Sequence, residues 1–134
     1  MVSDRVGDFI VRLTNAGAVK KPVVSVPYSA HLEAIARKLK ALGYVADVSV
    51  ATSEKSAAKK SLEVALVYTA TGEPKIRGVK RISKPGRRLY ANHKQVHTVK
   101  NGVGVQVIST PKGILSDREA RKQAAGGETL FEIW

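Results

Sequence analysis

Two clusters of residues in this chain have types and spacing suited to chemistry. The first is Ser109-Thr110-Pro111-Lys112-Gly113, where adjacent hydroxyls meet a stiffening proline, a cation and a glycine that lets another backbone come close. Hydroxyls, free backbone N–H groups and a lysine suit phosphate and ribose oxygens. A bond to a ribose 2′-OH would separate RNA from DNA. The second is Ile82-Ser83-Lys84-Pro85-Gly86-Arg87-Arg88-Leu89-Tyr90, which places Lys84, Arg87 and Arg88 around a tight turn. Arginine guanidinium groups fork onto phosphates. Tyr90 could stack on a base or reach a 2′-OH, or pack in the core as strand tyrosines commonly do. Arg118, Arg121 and Lys122 follow the hydroxyl loop closely. Glu128 stands apart among these cations, and its expected role is to orient the hydroxyl loop or a neighbouring arginine.

Catalytic chemistries find less support. His93 and His97 are spaced i, i+4, but no third metal ligand accompanies them. Gly102-Val103-Gly104 lacks the third glycine of a dinucleotide fingerprint and precedes a strand, which is the wrong order. Thr110-Pro111-Lys112-Gly113 does not match a phosphate-binding P-loop. The 11 acidic residues are scattered without a paired-carboxylate pattern. Asp117 and Glu119 are explained as helix N-terminal charges. No enzyme, metal or cofactor is therefore expected.

The elements that must position these residues follow from periodicity. Val6, Phe9, Ile10 and Leu13 recur at helical spacing, predicting an amphipathic helix over 3–15, capped by Ser3 or Asp4 and ended by Asn15 to Gly17. Val23 to Val26 reads as a strand. Ser29 caps a second helix with Leu32, Ile35, Ala36 and Leu39 on its buried stripe. Gly43 fits a left-handed C-cap, with Tyr44 folding back. Strands are expected at Val45–Val50 and Leu62–Tyr68, with Thr52–Ser61 as a polar hairpin loop. Thr71-Gly72-Glu73-Pro74 marks a boundary. Beyond it, Ile76–Ile82 is a strand, Lys84-Pro85-Gly86 suits a type II turn, and a strand begins at Arg88-Leu89-Tyr90. A run from Gly102 to Ser109 empties into the hydroxyl loop. Ser116 with Glu119 forms a capping box for a short helix at 117–124, which ends at Gly126-Gly127. Thr129–Trp134 closes the chain as a strand. The fold class is α+β in two small domains: an N-terminal α-β-α-β-β unit over 1–70, and a mostly β RNA-binding domain with one short helix over 71–134.

Charge narrows the partner. The chain of 134 residues carries a net +12, unusual for a protein whose apolar fraction is an ordinary 43%. Such self-repulsion makes sense when a polyanion neutralises it, with nucleic acid ahead of an anionic membrane. Residues 1–70 hold 10 Lys/Arg against 6 Asp/Glu, and residues 71–134 hold 13 against 5, so the second half is the more basic. No run approaches the roughly 18 apolar residues of a membrane span. With no cysteine, disulfides and thiolate metal sites are ruled out, which fits a reducing compartment.

The same motifs resemble a known family, bacterial-type small-subunit ribosomal protein eight. The resemblance runs nearly end to end. It is carried by Ile82 to Arg88 with Tyr90, the Gly102–Gly113 block, Ser116-Asp117-Arg118-Glu119-Ala120-Arg121 and Gly126-Gly127-Glu128, with Asp8, Arg12 and Asn15 in the first helix. It implies a two-domain protein that binds the central domain of small-subunit rRNA directly, early in assembly. It also implies that the hydroxyl loop docks in the minor groove of an irregular RNA helix. That role falls on Ser109, Thr110, Lys112 and Gly113, with Tyr90 and Glu128 in support. Two positions depart from the family pattern. Pro111 stands where the family usually has serine, so one hydroxyl and one N–H are missing. Thr14 stands where a second arginine is common, so the phosphate contact that the resemblance implies there does not carry over.

The expected function is thus a non-catalytic constituent of the small ribosomal subunit. The RNA contacts are expected at Ser109, Thr110, Lys112, Gly113, Tyr90, Arg87, Arg88, Lys84, Arg12, Asn15, Arg118 and Arg121, supported by Glu128 and Ser116. The expected neighbours are small-subunit proteins two, five and seventeen. Neither a membrane nor a small-molecule substrate is expected, and the location is a cytoplasmic ribosome, with a plastid ribosome also compatible. The alternative is a free regulator that binds messenger RNA through the same surface.

Overall fold

The computed structural model describes residues 4–53, 56–96, 99 and 102–134. Its elements run α1 (Arg5–Ala18), β1 (Val23–Pro27), α2 (Ala30–Ala41), β2 (Val45–Ser53), β3 (Ser56–Leu66), β4 (Val79–Arg81), β5 (Tyr90–Ala91), β6 (Val105–Thr110), β7 (Gly113–Ser116), α3 (Asp117–Lys122) and β8 (Gly127–Ile133). The chain divides into two compact units, Asp8–Ile76 and Met1–Gly7 with Arg77–Trp134. The α+β class with a mostly β C-terminal part and one short helix there is as the sequence indicates, and the strands form two antiparallel sheets.

In the first unit the sheet order is β1-β3-β2, antiparallel throughout. Phe9, Ile10 and Leu13 of α1 are buried, as are Leu32, Ile35, Ala36 and Leu39 of α2, so both predicted stripes face a core. Each of the Phe, Leu and Ile side chains contributes about 1.5–3 kcal/mol by leaving water, and Ala36 about 0.8 kcal/mol. The Ser29 hydroxyl accepts from Leu32 N–H at 3.1 Å and starts α2. The helix stops in a Schellman motif: Gly43 has φ +88°, and Tyr44 N–H reaches back to the Leu39 carbonyl at 2.9 Å. Both Tyr44 and Leu39 are buried, at the two positions where such a stop places its apolar side chains. On α2, Glu33 accepts from Arg37 at 2.8 Å and from Tyr28 at 2.8 Å. The Arg37 bond, then the Tyr28 bond, hold the Glu33 carboxyl below its ordinary pKa. The same carboxylate raises that of Tyr28.

Several expected boundaries move. Asp4 caps α1 through Gly7 N–H at 3.0 Å, whereas Ser3 lies outside the described residues. The helix does not end at Asn15–Gly17. It runs to Ala18 and stops on Lys20, which takes φ +59° while Lys21 N–H bonds the Ala16 carbonyl at 2.9 Å. Thr52–Ser61 is not a loop. Pairing continues through Thr52↔Lys60 and Ser53↔Ser56, because ladder bonds come from the backbone and do not require apolar side chains. Residues 54 and 55 lie outside the described set. β3 ends at Leu66, and Tyr68 makes only an isolated bridge with Pro74.

In the second unit β4-β8-β6-β7 form the sheet path, and β5 also pairs with β8. Val107, Ile108, Phe131 and Ile133 are fully buried at its centre. Ile108, Val96 and Ala120 of α3 cluster together, with Ala91 packed against them. The predicted strand at Ile76–Ile82 shortens to Val79–Arg81, and the closing strand begins earlier, at Gly127. The predicted 117–124 helix ends at Lys122. Its stop is not Gly126-Gly127 but Ala124, at φ +52°, with Ala125 N–H on the Ala120 carbonyl at 2.9 Å.

Candidate nucleic-acid interface

The hydroxyl segment is a β-hairpin rather than a strand-to-helix loop. β6 and β7 pair from Val107↔Ser116 to Thr110↔Gly113, leaving Pro111-Lys112 as the tip. Proline fixes φ near −65° at the first corner, and Gly113 absorbs the reversal at φ +113°. Thr110 stitches the turn. Its hydroxyl donates to the Gly113 carbonyl at 2.8 Å and accepts from Lys112 N–H at 3.1 Å. One lone pair therefore remains for an outside donor. The Ser109 hydroxyl has no hydrogen-bond partner among the described residues. Lys112 is exposed at the tip, and its Nζ donates to the Gln123 carbonyl at the end of α3 at 3.1 Å.

Strand register brings distant residues into line. Tyr90 pairs with Glu128, Glu128 with Ser109, and Ser109 with Ile114. Directly opposed residues on neighbouring antiparallel strands share a face, so Tyr90, Glu128 and Ser109 form one row across β5, β8 and β6. Tyr90 is 70% exposed, so it is not a core tyrosine. The row is close-set because two glycines precede Glu128. A Cβ on Gly127 would lie 2.0 Å from the Ser109 carbonyl oxygen, and one on Gly126 would lie 2.6 Å from the Ala91 carbonyl oxygen.

Next to the row stands the cationic turn. Lys84 and Arg87 exchange backbone hydrogen bonds at 3.0 and 2.9 Å around Pro85-Gly86, and both side chains are exposed. The turn is not type II, because Gly86 lacks the positive φ that type requires at that place. Arg88 Nη1 meets Glu128 Oε2 at 3.0 Å. The same oxygen accepts from Ser83 Oγ at 2.5 Å. Ser83 is fully buried and lies outside the set of residues expected from the sequence to have a role of their own. A serine at the junction of an apolar strand and a turn was the available signal.

The remaining candidates divide between support and surface. Ser116 is buried and closes the capping box: its hydroxyl accepts from Glu119 N–H, and its own N–H donates to Glu119 Oε1 at 3.2 Å. Arg118 is exposed and donates to the Gly102 carbonyl at 3.2 Å. Arg121 bridges the Val96 carbonyl and the buried Asp117. Arg12 and Asn15 belong to the other unit. Arg12 pairs with Asp8 at 3.0 Å and donates to the Ser25 carbonyl at 3.1 Å. It lines an open groove of about 320 Å³ with Asn15, Lys21 and Val23. Thr14 donates to the Ile10 carbonyl at 2.9 Å within α1. His97 lies outside the described residues, and no cluster of three or more His, Asp or Glu suited to a metal occurs among the described ones.

The C-terminal row and turn offer hydroxyls, an exposed ring and cations together, which is the chemistry of a binding surface. Comparison with known proteins gives the class. The family model described as Ribosomal protein S8 matches residues 4–134. Among curated relatives, the small ribosomal subunit protein uS8 of Nitrobacter winogradskyi is 44% identical, over 98% of this chain and 97% of its own. That of Chlorobium luteolum is 40% identical, over 99% and 98%. That of Chloroflexus aurantiacus is also 40% identical, over 99% and 98%. These matches define a protein of the small ribosomal subunit, not an enzyme. The chain belongs to the ribosomal protein S8 family, as the motifs from Ile82 to Glu128 indicate.

Proposed function

We propose that this protein binds the central domain of small-subunit rRNA directly and supports early assembly of the subunit. The observation that carries the reading is the Tyr90–Glu128–Ser109 row, flanked by the Pro111-Lys112 tip and the Lys84–Arg88 turn. The row presents a ring and an unpartnered hydroxyl on either side of Glu128, suited to a splayed base and a minor-groove 2′-OH. The exposed cations of the turn and tip hold phosphates. Residues 71–134 act as the RNA-binding domain, and Arg12 and Asn15 add a second contact from 1–70. Small-subunit proteins two, five and seventeen are the proposed neighbours, in a cytoplasmic ribosome.

Binding to a central-domain rRNA fragment across a salt series tests this. With about four to six neutralised phosphates, the log–log slope should be roughly −3 to −5. Replacing Arg87 and Arg88 together by Ala should flatten it by about one to two. An unchanged slope would remove the turn from the interface. Footprints outside the central domain would refute the placement.

A further inference from the structure

We propose that Ser83 is a positioning residue for RNA binding: it locks the Glu128 carboxylate so that Arg88 presents its guanidinium beside the Tyr90–Ser109 row. The proposal rests on the rRNA-binding reading above. Ser83 is 0% exposed, and each of its polar groups has a partner. Its N–H donates to the Leu130 carbonyl at 3.3 Å. Its carbonyl accepts from Arg81 Nε, and Arg81 in turn pairs with Asp4 at 2.8 Å. Its hydroxyl accepts from Leu89 N–H at 3.3 Å and donates to Glu128 Oε2 at 2.5 Å. One buried oxygen thus ties the closing arm of the cationic turn to β8.

The magnitude of the exposed pair decides why this matters. Arg88 and Glu128 side chains are 49% and 18% exposed. An ion pair that open to water holds little orientation on its own. The hydroxyl bond fixes the carboxylate, and the fixed carboxylate takes one N–H of Arg88. The other guanidinium N–H groups stay available to a phosphate. Ser83 therefore acts at a distance from RNA, through Glu128 and Arg88.

The test is binding of the rRNA fragment by full-length wild type, Ser83→Ala, Arg88→Ala and the double variant across a salt series, with thermal stability followed in parallel. Loss of a hydrogen bond to a charged group should weaken binding by about tenfold in Ser83→Ala. Its salt slope should move towards that of Arg88→Ala. In the Arg88→Ala background the same serine change should cost less than about twofold, because nothing is left to position. Equal fold-losses in both backgrounds would show a structural role only and overturn the proposal. If the alanine variant does not fold, Ser83→Cys keeps the shape with a weak donor and should show the same dependence on Arg88; equal losses there would likewise overturn the proposal. Failure of wild type to bind the fragment would bring down the underlying reading as well.

Discussion

Gly127→Ala is the sharpest probe of how the row is built. The added Cβ would sit 2.0 Å from the Ser109 carbonyl oxygen, 2.9 Å from its carbon and 3.0 Å from Thr110 Cα. All three are backbone atoms, so no side chain can swing aside. β8 and the β6–β7 hairpin must part by about 1 Å or more, which a close-packed interior resists. Overpacking of this kind costs about 1–3 kcal/mol. For a chain of this size that is a fall in melting temperature of about 4–12 °C. The same displacement pulls Ser109 away from Glu128 and Tyr90. Affinity for the rRNA fragment should drop by about tenfold, equivalent to one or two lost hydrogen bonds. The salt slope should hold, because the strain falls on the β6–β7 hairpin and leaves the Arg88–Glu128 pair and the cationic turn in place. Gly86→Ala is the control. It has open space around its Cβ and no positive φ, so it should be neutral or slightly stabilising. Calorimetry and filter binding on both variants decide the matter. Wild-type stability and affinity in Gly127→Ala would refute the claim that close approach at Gly127 sets the row.

Ala124→Gly should raise stability by up to about 1 kcal/mol, since Ala124 ends α3 in a left-handed conformation that alanine resists; chemical denaturation measures it, and a loss would contradict the strain. The folded Glu33 carboxyl lies below its ordinary pKa of 4.5 because of its bonds to Arg37 and Tyr28. The stability it contributes is therefore full above that value and fades as pH falls through the lower folded value. Glu33→Gln should weaken the loss of melting temperature between neutral and acid pH, and an unaltered profile would deny the linkage. Pro111→Ser should change rRNA affinity by less than about 1 kcal/mol, because a new hydroxyl and N–H oppose a more flexible tip; a larger gain would mean the missing donors dominate.

Local signals in the sequence carried far. Ser116 with Glu119, Ser29, Gly43 with Tyr44, and the Val6-Phe9-Ile10-Leu13 stripe each lie within one turn of the structure they specify. Elements set by pairing partners were less legible. β7 is four residues long and, read alone, Gly113 to Ser116 looks like a lead-in to a capped helix. The β2–β3 extension carries polar residues, and its existence depends on the facing strand. Lys20 and Ala124 end helices in a conformation that sequence rules assign to glycine. The candidate site residues stood out by type. The row did not, because Tyr90, Glu128 and Ser109 become neighbours only through register. Ser83 was invisible as a support for the same reason: its partners Leu89 and Glu128 lie 6 and 45 residues away.

The hairpin also accounts for the departure at Pro111. The β6–β7 pairing closes at Thr110↔Gly113, and residue 111 lies outside the ladder at the first corner of the turn. A proline there withdraws no ladder bond, and its fixed φ is the one that corner favours. The bonds that hold the tip come instead from Thr110, through its contacts with Gly113 and Lys112. The substitution therefore leaves the scaffold intact and acts only on the outward face, where it removes donors. Ser109 is set one residue back from the stitched turn, in the row with Glu128 and Tyr90. Its geometry is fixed by the sheet and not by the tip. On the rRNA-binding proposal above, a chain with proline at 111 keeps the Ser109 hydroxyl for a ribose and should rely on it more heavily than a chain with serine would.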